Sequence, residues 1–218
     1  MSAAILIMAR ASRPGEVKTR LEPLLGPQRC ARLQGELIRH TAAWVARYSQ
    51  KAWLAFTPAD AREEVARLIP ATVNLFSQQG RDLGERLAHA TDLAFRAHRG
   101  PIVVIGTDAP ELGPLHLRFA ECELARGHDA CLIPALDGGY ALIALTRPIP
   151  RAFELPRPAW GGPAVLELTL AALEKSARSF ALLDPVRDLD TPEDAKYVAA
   201  DPRCPPAIRS VLRGATAA

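Results

Sequence analysis

Ile102-Val103-Val104-Ile105-Gly106 is apolar and β-branched up to its terminal glycine. A strand wet on one face alternates apolar with polar residues, so an unbroken run predicts a strand covered on both faces, as in the centre of a parallel sheet between helices. Ala3-Ala4-Ile5-Leu6-Ile7-Met8-Ala9 reads the same way and predicts a central first strand. Between these two runs the spacing predicts a helix from Gln28 to Tyr48, with Leu33, Leu37 and Trp44 on one stripe, and a strand at Trp53 to Thr57. A helix opening near Pro58, a strand at Val73 to Phe76 and a helix carrying Leu83, Leu87, Ala90 and Ala94 follow. Beyond the central run, Pro114 to Arg126 predicts a helix closed by Gly127. Ala130 to Ile133 and Tyr140 to Leu145 predict an antiparallel pair. A proline-rich excursion from Pro148 to Pro163 leads to a helix at Ala164 to Lys175, a strand at Phe180 to Leu183 and a last helix after Pro192. This alternation predicts an α/β chain of three αβα layers: a mostly parallel central sheet with a late antiparallel strand, in one domain over residues 1–218.

The 27 basic and 24 acidic residues are interspersed and leave a net charge of +3. No basic run or tail marks a nucleic-acid partner. The four cysteines, Cys30, Cys122, Cys131 and Cys204, form no C-x-x-C pair and read as reduced thiols. The apolar opening lacks a basic flank and a cleavage site, and no stretch is long enough to cross a bilayer, so a cytoplasmic chain without a membrane partner is expected. His40, His89, His98, His116 and His128 are scattered without metal or triad spacing and read as structural or surface residues.

In open α/β sheets ligands bind beyond the carboxyl ends of the strands. After the second central run comes Thr107-Asp108-Ala109-Pro110, where Asp108 either closes a turn or coordinates a hard divalent cation that bridges phosphates. After the first comes a loop from Arg10 to Leu21 containing Arg10, Arg13, Lys18 and Arg20, which is either simply solvated or wraps a polyphosphate. In Arg187-Asp188-Leu189-Asp190-Thr191-Pro192-Glu193-Asp194, helix capping accounts for Thr191 and Asp194 but leaves Asp188 and Asp190 unexplained, so either could share a metal with Asp108. Asp82, three residues before Glu85, is either a cap or a ligand contact. Neither G-x-G-x-x-G nor G-x-x-x-x-G-K-[ST] occurs, which removes the main support for dehydrogenase and P-loop readings.

Five segments in order resemble a family of bacterial transferases with the GT-A, nucleotide-diphospho-sugar transferase fold, often encoded with radical-SAM and selenium-related proteins. They are Lys18-Thr19-Arg20-Leu21, Gln79-Gly80-Arg81-Asp82-Leu83-Gly84-Glu85-Arg86, Ile105-Gly106-Thr107-Asp108-Ala109-Pro110-Glu111-Leu112, Pro134-Ala135-Leu136-Asp137-Gly138-Gly139-Tyr140 and Asp188-Leu189-Asp190-Thr191-Pro192-Glu193-Asp194. The same fold and part of the motifs are found in phospholactate and molybdenum-cofactor guanylyltransferases. The resemblance implies Mg²⁺ or Mn²⁺ at Asp108 and at Asp190 or Asp188, with Arg10, Lys18 and Arg20 near the donor phosphates. It places Gly80, Asp82 and Gly84 near the base or ribose, and Asp137, Gly138, Gly139 and Tyr140 beside the acceptor, although Asp-Gly-Gly is also a hairpin turn. Tyr140-Ala141 and Trp160-Gly161-Gly162 depart from the common pattern, which puts the acceptor's identity in question.

The expected function is a metal-dependent transferase that uses a nucleotide sugar or a nucleoside triphosphate. The absence of a glycine-rich phosphate cradle favours glycosyl transfer to a small acceptor, catalysed around Asp108, Asp190 and Lys18. The alternatives are nucleotidyl transfer with release of pyrophosphate and a non-catalytic nucleotide-binding subunit. The sequence leaves the oligomeric state open.

Overall fold

The computed structural model describes residues 3–213. Its strands are β1 (Ala4–Arg10), β2 (Ala52–Thr57), β3 (Asn74–Ser77), β4 (Ile102–Ile105), β5 (Ala130–Pro134), β6 (Tyr140–Leu145) and β7 (Phe180–Leu182). Its helices are α1 (Glu22–Leu25), α2 (Pro27–Tyr48), α3 (Arg62–Ala66), α4 (Leu83–Ala97), α5 (Pro114–Ala125), α6 (Val165–Lys175), α7 (Pro192–Ala200) and α8 (Pro206–Arg213).

The seven strands form one sheet in the order β3-β2-β1-β4-β6-β5-β7. All run parallel except β6, which is antiparallel to both its neighbours, so the late antiparallel departure expected from the sequence is a single strand. The two unbroken apolar runs are adjacent at the centre, Ile7 beside Ile105. Burial on both faces explains why neither run alternates. Ile5 and Ile7 pack with Ile38, Val45 and Leu117 from α2 and α5, whereas Leu6 and Val104 pack with Leu87, Ala90 and Leu173 from α4 and α6.

From β1 the chain moves outward to β2 and β3, then returns to β4 on the other side of β1. Such a reversal opens a crevice at the strands' carboxyl ends, here between the loops after Arg10 and Ile105. Helix α8 had no counterpart among the expected elements, whose last was the helix after Pro192. Its signal is Ile208, Val211 and Leu212 on one face, which pack with Leu33, Leu37 and Val198 in a third cluster. Leu189 is buried in that cluster. Asp188 and Asp190, on either side of the buried Leu189, both line the cleft. No helix is long and apolar enough to cross a membrane among the described residues.

Candidate active site

The crevice is a cleft of about 440 Å³. Three loops meet there, and identifiable hydrogen bonds hold them together. The buried Gln34 on α2 donates from Nε2 to Arg10 O and to Thr107 Oγ1, which ties the loop after β1 to the loop after β4. The Leu189 N–H donates to Asp108 O at 2.8 Å, docking the Asp188–Asp190 segment against the same loop. Gln78 donates to Ala9 O and Ala55 O across the ends of β1 and β2. Four of these bonds start from two side-chain amides, the buried Gln34 and the half-buried Gln78, whose loss would leave polar groups unpaired, so the site's frame is rigid.

Asp108 and Asp190 converge on Lys18. The ammonium donates to Asp108 Oδ1 and, at 2.8 Å, to Asp190 Oδ1. The Lys18 side chain is only 4% exposed, and its φ of 51° places the backbone in the left-handed region, a conformation that a non-glycine residue keeps only where its surroundings hold it. Burial opposes the charged ammonium, but the two carboxylates outweigh it and hold the Lys18 pKa above its ordinary value. Asp188, beside them, has its pKa pushed up to about 8, first by burial and then by the charges of Asp108, Asp137 and Asp190. The pocket thus holds more negative charge than Lys18 offsets, the electrostatic condition that favours an additional cation.

Asp108, Asp188, Asp190, Arg10, Asp137, Gly139 and Tyr140 line the cleft. Arg10 is steadied by its Nη1 donating to Glu16 O at 3.2 Å. Of the other expected residues, Arg20 is exposed in a 3-10 turn, Thr19–Leu21. Gly80 lies in a turn at φ 138°, where a Cβ would stand 2.7 Å from Arg86 N. Asp82 caps α4 by accepting from Glu85 N at 2.9 Å, and its second oxygen accepts from Arg157 Nε at 3.0 Å. Gly84 lets α4 approach the chain: a Cβ there would stand 2.3 Å from Phe153 O and 2.7 Å from Trp160 Nε1. Gly138, at φ 93°, turns the hairpin, and a Cβ would stand 2.1 Å from Pro163 O. None of these five lines the cleft, although Gly80 abuts Arg86 and Gly84 abuts Trp160, both of which do.

Thr57 and Gln78 line the cleft without a role assigned from the sequence; among the other lining residues, Leu83 and Leu87 read only as part of a helix's apolar stripe, Arg86 only as the end of a family segment, and the Trp160-Gly161-Gly162 element only as a departure bearing on the acceptor. The four cysteines are free, as expected, and only Cys122 is exposed. His116 is structural, accepting the Gly113 N–H at the start of α5.

The chain shares the fold of a structure from Desulfovibrio desulfuricans G20 provisionally named a nucleotide-diphospho-sugar transferase. The TM-score is 0.88 at 28% identity, covering 100% of this chain and 96% of that one. At the level of fold alone it is similar to a CMP:2-keto-3-deoxy-manno-octonic acid synthetase complexed with CTP, with TM-score 0.58, 12% identity, and 91% and 97% of the two chains covered. The same holds for molybdopterin-guanine dinucleotide biosynthesis protein A from Archaeoglobus fulgidus, with TM-score 0.56, 15% identity, and 89% and 95% covered. No curated protein matches the sequence. The α/β architecture is therefore that of the nucleotide-diphospho-sugar transferases and nucleotidyltransferases, and a family match over residues 41–160, more than half of the chain, shows that it belongs to the family described as "Uncharacterized protein conserved in bacteria (DUF2064)".

Proposed function

We propose that the chain is a transferase that binds a nucleotide sugar through Mg²⁺ or Mn²⁺ at Asp108 and Asp190 and passes the sugar to a small acceptor. The observation that carries this reading is the convergence of Asp108 and Asp190 on one cation position, filled by Lys18, in a cleft at the sheet's switch point. Among the described residues no three carboxylate, imidazole or thiol groups stand close enough to hold a metal by themselves. Mg²⁺ typically takes one or two carboxylates and completes its octahedron with water and substrate phosphates, so two aspartates with Asp188 beside them fit it. When bound, such a cation would bridge the donor phosphates and stabilise the charge of the departing nucleoside diphosphate.

The chain's own residues supply the remainder. Lys18 exchanges an aspartate partner for a phosphate oxygen, and Arg10 offers a second cation from the end of β1. Gln34 and the Leu189 N–H keep the three loops in register, which limits reorganisation as charge develops. Burial first and then the neighbouring carboxylates raise the Asp188 pKa, and the carboxylate charge falls once a divalent cation enters, so donor and metal favour each other's binding.

The loop after β1 supports a sugar donor over a triphosphate. Arg13 is held by Asp60 and Glu64, and Arg20 faces solvent, which leaves Arg10 and Lys18 for the phosphates. Within that loop two cations match the two phosphoryl groups of a nucleotide sugar better than the three of a triphosphate, and Arg86 of α4, which also lines the cleft, gives its Nε to Gly80 O at 3.1 Å. Nucleotidyl transfer is the second reading, favoured by the Lys18-Thr19-Arg20-Leu21 segment, whose lysine reaches the aspartate pair.

Thermal shift with nucleotide sugars and nucleoside triphosphates, with and without Mg²⁺, combined with product analysis, tests the proposal. A Mg²⁺-dependent shift with a nucleotide sugar and release of nucleoside diphosphate are expected. A shift confined to one triphosphate with release of pyrophosphate would replace glycosyl by nucleotidyl transfer. Metal-dependent binding without turnover of any acceptor would identify a binding subunit, and no shift with any nucleotide would end the donor assignment.

A further inference from the structure

Asp188 and Asp190 sit in an irregular segment between the bridge at Val186 and the start of α7. No ladder or helix fixes such a segment, so its individual hydrogen bonds decide where the two carboxylates stand.

The leading end is clamped from the loop after β4. The Arg187 N–H donates to Glu111 Oε1, and Glu111 lies three residues after Asp108, in the turn that runs from Ala109 to Leu112. Two residues on, the Leu189 N–H donates to Asp108 O at 2.8 Å. Alternate N–H groups of the segment therefore meet the same loop, one at a side-chain carboxylate and the other at a main-chain carbonyl. The trailing end is held by Asp194, whose Oδ2 accepts from the Thr191 N–H at 2.9 Å and the Asp190 N–H at 3.4 Å. Asp194 Oδ1 accepts from Arg187 Nη1 at 2.8 Å, which joins the two ends into a ring, and the Arg187 guanidinium lies 4.3 Å from the centre of the Tyr197 ring.

Glu111 has no other strong partner among the described residues. Helix α5 begins at Pro114 and its start is served by Gly113 and His116, not by Glu111. The second Glu111 oxygen lies 3.9 Å from Arg203 Nη2, an exposed guanidinium that Asp201 already holds at 2.8 Å. An exposed, distant pair of that kind contributes little, whereas a carboxylate accepting a main-chain N–H makes a charge-assisted bond. Glu111 does not line the cleft.

We infer that Glu111 is a positioning residue for the aspartate pair: by holding the Arg187 backbone it keeps Asp190 beside Asp108, where one divalent cation meets both. The inference deepens the proposed function and rests on it, since it names a residue that serves the same cation site without touching cation or nucleotide. Groups that orient metal ligands cost about tenfold to a hundredfold in metal affinity when they are lost.

Two variants separate the clamp from its charge. Glu111→Gln loses the charge but keeps an acceptor at the same reach, and Glu111→Asp keeps the charge but falls short of the Arg187 N–H. Mn²⁺ binding to the whole chain, read by electron paramagnetic resonance with UDP or GDP present, should weaken about tenfold in Glu111→Asp and stay within about threefold in Glu111→Gln. Amide hydrogen exchange without metal or nucleotide should quicken at Arg187 and Leu189 in Glu111→Asp alone, by about tenfold. The opposite order of the two variants would trace the effect to charge and overturn the inference, as would equal Mn²⁺ affinity in all three proteins or exchange that neither variant alters. No Mn²⁺ binding to the unaltered chain with either nucleotide would overturn the cation site itself, and this role for Glu111 with it, so the two failures are told apart.

Discussion

Two acid-bearing segments stand before helices in this molecule, Asp82 to Glu85 ahead of α4 and Asp188 to Asp194 ahead of α7, and they spend their carboxylates differently. At α4, Asp82 uses one oxygen to cap Glu85 N and the other to accept from Arg157, while Glu85 is taken by Arg81. At α7 the capping is done by Thr191 and Asp194, which exchange hydrogen bonds in a capping box, and Asp194 also takes Arg187. Asp188 and Asp190 are left over, and both line the cleft on either side of the buried Leu189. Counting acids near a helix start does not separate a cap from a site; counting which acceptors the helix already uses does.

The sharpest way to break this comparison is to neutralise one carboxylate in each segment. Asp190→Asn should reduce turnover of the nucleotide donor about a hundredfold or more by removing a metal ligand, with the fold intact. Asp82→Asn should leave turnover within about threefold, since an asparagine still caps a helix. Steady-state kinetics on both variants decides it, and equal losses would erase the distinction between cap and site.

Leu189→Ala tests whether core burial aims the two aspartates. Truncating a buried leucine should cost about 2–5 kcal/mol of stability by denaturant unfolding and also weaken metal-dependent nucleotide binding. If binding survives the loss of stability, the segment is held in place by something other than the third cluster.

Asp188→Asn should act in the opposite direction. With a folded pKa of about 8 against an ordinary 3.8, ionisation of Asp188 opposes folding, and the penalty grows as pH rises from about 4 to about 8. The asparagine variant should therefore melt higher than the unaltered chain without metal, by about 2–4 °C for each kcal/mol relieved. The gap should widen across that pH range. Thermal melts at several pH values check the slope, and a gap independent of pH would show that Asp188 is not ionising under strain.

The smallest effects belong to the caps. Thr191→Ala and Asp82→Ala should each cost about 1 kcal/mol. In Asp82→Ala the loss should grow a little because Arg157 also gives up its partner, and unfolding in urea will show both.

The same accounting explains what was legible in the sequence. The central strands were clear because Ile5 to Ile7 and Ile102 to Ile105 are apolar for a reason internal to each segment, burial on both faces. Asp108 and the unexplained pair Asp188 and Asp190 were legible because strand-end position and helix capping are local rules. The union of Lys18 with Asp108 and Asp190 spans 90 and 172 residues of chain and depends on Gln34 joining two loops, which no local pattern reveals. The packing of Gly84 against Trp160, a residue 76 positions away, was not legible, because only the fold brings that side chain close. Helix α8 was missed because its apolar face is short and makes sense only against α2 and α7.

The central claim is that Asp108 and Asp190, and not the capping acids, hold a nucleotide through a divalent cation. Isothermal titration of the nucleotide giving the largest thermal shift, with and without Mg²⁺, into the unaltered chain, Asp190→Asn and Asp82→Asn tests it most directly. The account predicts Mg²⁺-dependent binding that weakens at least about tenfold in Asp190→Asn and is unchanged in Asp82→Asn. Binding that needs no Mg²⁺, or that is lost in Asp82→Asn and kept in Asp190→Asn, would contradict it.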